Sequence, residues 1–183
     1  MAASPAEQAK RRSQGDLDAE FTLVRAAVEH PTDVVGVYEV VSPEDFTDHV
    51  CAHILRVVQS LNRAVLPIGF DEIVSHLKPD DVLGPGGCQS ETTVADCVRE
   101  TLSSGSGTAV EAAWCAMRIR AESHRQALQA VLDQCLKAVL GGQSAEVRAL
   151  LEEAMRLADM YHDADAGADR ELNRLQDTSA STE

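Results

Sequence analysis

Apolar residues recur along this chain in steps of three and four, the spacing that lines one face of an α-helix. Leu17, Phe21, Val24 and Val28 form the first such stripe, with Asp16 as its N-cap and Pro31 beyond its end. Ser42-Pro43-Glu44-Asp45 predicts a second helix start, with Ser as N-cap, Pro at the first position and acids in the first turn. Val50, Ile54, Val57 and Leu61 then supply its stripe. Phe70, Ile73, Val74 and Leu77 predict a short helix ended by Pro79. Thr93 caps a further one bearing Val94, Cys97, Val98 and Leu102. Residues 80–89 contain Gly84-Pro85-Gly86-Gly87 and read as a loop, and Ser103-Ser104-Gly105-Ser106-Gly107 reads as a break.

The pattern is longest after that break. Val110, Trp114, Met117, Ala121, His124, Leu128, Val131, Cys135 and Ala138 alternate in steps of four and three. This is a heptad-type seam of about four heptads. Thr108 opens it and Gly141-Gly142 closes it. A second stripe follows at Val147, Leu150, Leu151, Ala154, Leu157 and Tyr161. So short a turn makes the two helices antiparallel, and an arm of about 30 residues reaches about 45 Å. The fold expected is all-α: a disordered tail over 1–15, a compact helical head over 16–104, a long antiparallel hairpin over 105–162 and an acidic disordered tail over 163–183. Two arms cannot bury both the seam and the wide stripe of Leu132, Leu136 and Val139 against each other. The hairpin is therefore expected to form a homodimer or higher assembly. Its interface is assigned to Val110, Trp114, Met117, Ala121, His124, Leu128 and Val131 of the first arm, with Leu150 and Leu157 of the second.

Composition narrows the function. Sixteen Lys and Arg stand against 30 Asp and Glu, a net charge of -14. Such a surface repels phosphate backbones, and with 3% aromatic residues there is little on which to stack bases. Direct nucleic-acid binding is thus not expected. No run of apolar residues is long enough to span a bilayer, and the N-terminus has no apolar core of a secretory leader, so a cytoplasmic location is expected. The five cysteines, without a C-x-x-C, read as small apolar residues in a reducing compartment.

Sites of chemistry are sparse. No G-x-x-x-x-G-K-[ST] is present to cradle nucleotide phosphates. His49 and His53 share a helix face but Cys51 points away, too few ligands for zinc. Asp163, Asp165, Gly167 and Asp169 lack the glycine and glutamate register of a calcium loop. Ser123 and His124 are neighbours in sequence but point about 100° apart on a helix, unlike a nucleophile and its base. No catalytic residue, metal or cofactor is assigned, and the chain reads as a non-enzyme.

Several segments, in order, resemble the N-terminal domain of the bacterial replicative DnaB helicase. The likeness runs from Asp18-Ala19-Glu20 through Val41-Ser42-Pro43-Glu44-Asp45-Phe46, His53-Ile54, Leu66-Pro67-Ile68 and Gly86-Gly87. It continues through Trp114, Met117 and Arg125 into 146–162, covering roughly 16–162. Ile119 stands where that family carries a charge. The 183 residues include neither the linker helix nor the RecA-type ATPase domain of the helicase. The resemblance implies a collar module in which hairpins pair with hairpins and which associates with the replicative helicase or the DnaG primase. It fits either a free-standing relative or a piece of a full helicase. The alternative reading is an acidic helical adaptor or regulator outside replication that reuses the fold.

Overall fold

A computed structural model describes residues 5–82, 93–105 and 107–180. The described residues are helical with short connections: α1 (Pro5–Glu29), α2 (His49–Arg63), α3 (Phe70–His76), α4 (Pro79–Val82), α5 (Val94–Ser103), α6 (Ala109–Leu140) and α7 (Ser144–Ala180). Single 3-10 turns at Val35–Glu39 and Pro43–Asp45 lie between α1 and α2. The all-α class is as expected.

The core lies in the head, where α2 contributes Ile54, Leu55, Val58 and Leu61, and α1 contributes Leu23 and Val24. Ile73, Val82, Cys97 and Val98 close it from α3, α4 and α5. Ala112, Cys115, Ala116 and Ile119 of α6 belong to the same cluster. Head and hairpin are therefore not separate layers: α6 starts inside the core and leaves it. Ile119, at 2% exposure, is buried in this shared cluster.

Helix α1 lies along the first half of α6 through small residues. Leu23, Val24, Ala26 and Ala27 are its deepest positions, whereas Leu17, Phe21 and Val28 are only half-buried. Val24 takes its expected place in the core and Phe21 and Val28 pack against it, while the closest contact is made by Ala26 and Ala27, because close helix approach favours alanine. The Gly105–Gly107 crossing fixes this approach. A Cβ on Gly105 would lie 2.6 Å from the Phe21 and Thr22 backbone. Gly107 has φ +67° and packs onto the Arg25 side chain. The Arg25 guanidinium donates to the Gly105 carbonyl at 2.7 Å.

Four boundaries differ from expectation. α1 begins at Pro5, ahead of Asp16, because 5–15 are mostly good helix formers led by a proline suited to the first turn. Ser42-Pro43-Glu44-Asp45 opens only a 3-10 turn, with the Asp45 carboxylate accepting from Ser42 N–H at 2.8 Å. α2 starts later, at His49, capped by Asp48, whose carboxylate accepts from Cys51 N–H at 2.8 Å. The buried Glu20 carboxylate explains the delay. It accepts from the N–H groups of Thr47 and Asp48, both at 2.8 Å, and holds that strip out of the helix. Finally, α7 continues through the residues read as an acidic tail, to Ala180, and Ala168 is buried. The Asp163–Asp169 stretch is thus helical rather than a loop. The loop expected over 80–89 is a helical turn as far as Val82, and its glycines lie outside the described residues.

Cys51, Cys115 and Cys135 are free and buried, as small apolar residues should be. Cys97 is a correction: it is disulfide-bonded.

Candidate interaction surface

The two arms pack more extensively on each other than any other pair of elements. Their register follows from one ion pair, Arg118 to Asp165 at 3.8 Å. In an antiparallel pair each step along α6 is matched by one back along α7. Leu128 therefore stands level with Met155, and Leu132 with Leu151.

The residues assigned to the interface fall in different environments. Ala121 and Leu157 are buried on the seam between the arms, together with Cys135, Ala138, Ala154 and Ala168. Leu128, Val131 and Leu150 are half-buried along the same seam. Met117 is half-buried beside Gly167, and His124 lies two turns further on. Trp114 packs against the head core. Val110 stands apart, 63% exposed at the start of α6. The seam is thus largely the contact between the arms.

The exposed apolar surface is one flank over. Leu132, Leu136 and Leu140 follow one another by four residues on α6, with Val139 beside them, and all are exposed. Leu136 is 60% exposed. Leu151 and Met155, spaced likewise on α7, are exposed too, Met155 at 70%. A groove nearer the head shows that these rows adjoin. It is lined by Arg118, Glu122 and Arg125 from α6 and by Tyr161, Asp165 and Asp169 from α7. Steps of three and four from Arg125 lead to Leu132, Leu136 and Leu140, and from Tyr161 to Met155 and Leu151. One flank of the hairpin is therefore charged at its base and apolar at its tip. Of its members the sequence pattern had singled out Leu132, Leu136 and Val139 on α6 and had placed Leu151 in the α7 stripe. Met155 was missed because it falls off the α7 stripe.

The charged base is ordered by its own pairs. Arg125 forks onto Glu122, and Gln126 donates to the same carboxylate at 3.0 Å. Burial works against the Glu122 charge, yet these hydrogen bonds hold its carboxyl below the usual range. Toward the tip, Arg156 pairs with Glu153 at 2.5 Å and Arg148 with Glu152 at 3.3 Å. These are local pairs on exposed helix surface, which rim the apolar flank and contribute little to stability.

Elsewhere, His49 and His53 meet edge to face on α2 with ring centroids 4.5 Å apart. Among the described residues no three His, Cys, Asp or Glu side chains converge as a metal site would need. No described helix is long and apolar enough to cross a membrane. No family model matches this chain, and no curated protein matches it.

Proposed function

We propose that this protein is a non-catalytic protein–protein interaction module whose docking face is the apolar tip flank of the hairpin. The observation that carries the reading is the exposed row of Leu132, Leu136 and Leu140 beside Leu151 and Met155. Covering a leucine contributes about 1.5–3 kcal/mol, and a two-fold pairing of tips counts each twice. Self-association is thus the first use of the face. The resemblance over 16–162 supports a second: association with the replicative helicase or its primase in DNA replication.

Light scattering coupled to size exclusion tests the first part. At about 50 µM the wild type should run as a dimer or larger, and Leu136→Asp as a monomer with unchanged helical circular dichroism. Calorimetric titration with the cognate primase C-terminal domain, and with the helicase, tests the second. A monomeric wild type silent toward both proteins removes the reading.

A further inference from the structure

We propose that the hollow between the Tyr38–Asp45 segment and α6 binds a small molecule carrying a carboxylate beside an apolar group. Two polar atoms point to it. The Tyr38 hydroxyl and His124 Nδ1 are buried with no hydrogen-bond partner among the described residues. Buried polar groups are ordinarily paired, so two orphans at one place call for an explanation. Both residues line the same hollow of about 250 Å³, with Ser42, Asp45 and Arg120.

The donors fit an oxyanion. Arg120 gives one N–H to the Val40 carbonyl at 2.6 Å, which fixes its guanidinium at the rim; a guanidinium carries five such donors. The Tyr38 hydroxyl donates, and burial pushes its pKa up to about 12, so it keeps its proton at neutral pH. His124 Nδ1 can carry a proton as well. A guanidinium with two unpartnered polar groups beside it suits a carboxylate, whose hydrogen bonds to charged donors are among the strong ones. Asp45, already accepting from Ser42 N–H, offers an anchor to an ammonium on the same ligand.

The apolar half has its own space. A second hollow of about 420 Å³ shares Val40, Arg120 and His124 as a wall and is otherwise bounded chiefly by Met117, Met160, Ala164 and Gly167. Methionines adapt to irregular apolar groups, and a hollow of this size suits a ring or a short alkyl chain.

Calorimetry on the full chain decides, with phenylpropionate, phenylalanine, phenylpropanol and acetate as probes. Phenylpropionate or phenylalanine should bind saturably; which is tighter tells whether the Asp45 carboxylate takes an ammonium. The alcohol, lacking the charge, and acetate, lacking the ring, should each bind at least about tenfold more weakly. Tyr38→Phe should lose about tenfold as well while melting no lower than the wild type, since its hydroxyl has no partner to lose. Ala164→Leu, which fills the second hollow, should weaken both aromatic acids. Absence of saturable heat from either acid, equal binding of the alcohol, or wild-type affinity in Tyr38→Phe overturns the proposal and leaves a hollow holding solvent only. Should either variant fail to fold, the probe series on the wild type is decisive by itself.

Discussion

Val65 carries the least expected backbone of the described residues. Its φ is 55°, in the left-handed region, and its side chain is 90% exposed. It follows the end of α2, where its N–H donates to the Asn62 carbonyl and that of Leu66 to the Leu61 carbonyl. Glycine is the usual residue at such a helix end, and a β-branched one there costs about 1–2 kcal/mol. Val65→Gly should therefore raise stability by about 1 kcal/mol after the added freedom of the unfolded chain, visible as a higher urea midpoint. Glu20 holds a different strain. At 2% exposure, its desolvation outweighs the hydrogen bonds from Thr47 and Asp48 and raises its pKa. A carboxyl with a raised folded-state pKa contributes stability below its unfolded pKa that is lost as pH rises through the folded one. Relative to Glu20→Gln, the wild type should lose stability as pH climbs from about 4 to 7, read from paired urea titrations. Neither residue was legible in the sequence. A lone Glu on an amphipathic stripe reads as solvated, and nothing in Ala64-Val65-Leu66 marks a left-handed turn. Thr93 was legible, because its cap depends only on Asp96 three residues on, whose N–H it accepts at 3.1 Å.

Elements made mostly of local contacts could be placed from the sequence; those set by distant contacts could not. The hairpin was readable because both its stripes and its Gly141-Gly142 turn are written in consecutive residues. The late start of α2 was not, because the Glu20 carboxylate that enforces it is 27 residues from Thr47. The Gly105–Gly107 stretch was readable as a break, but the nearness of α1 that demands glycine there was not. Gly105→Ala should cost at least about 2 kcal/mol, since backbone rather than a flexible side chain stands in the way. Within the hairpin, seam and flank separate cleanly by mutation. Leu157→Ala should cost about 2–4 kcal/mol of stability, because the side chain is buried between the arms. Leu136→Asp should leave the helical circular dichroism unchanged, change the assembly state, and lower the melting temperature only by what association adds. If Leu136→Asp unfolds the protein instead, the tip flank is internal structure and not a docking face.

For the whole molecule, the separation into head and hairpin was legible only in part. Helix count and order follow from periodicity, but the joint between the two parts depends on Ala112, Cys115, Ala116 and Ile119. These lie opposite the heptad seam and are too small or too few to stand out as a second stripe. The net charge of -14 bears on partners at this scale. Fluorescence anisotropy of labelled single- and double-stranded DNA should stay flat with micromolar protein at about 150 mM salt. The shared joint has a mechanical consequence. α6 is one unbroken rod, clamped over its first turns and carrying the apolar flank near its free end. Leu136 lies about 26 Å along the axis from Ile119, so a rotation of about 5° at the clamp swings the tip by about 2 Å. Whatever grips the tip thus works a lever whose fulcrum is the core itself, and the Ala-lined contact with α1 is where its load is borne.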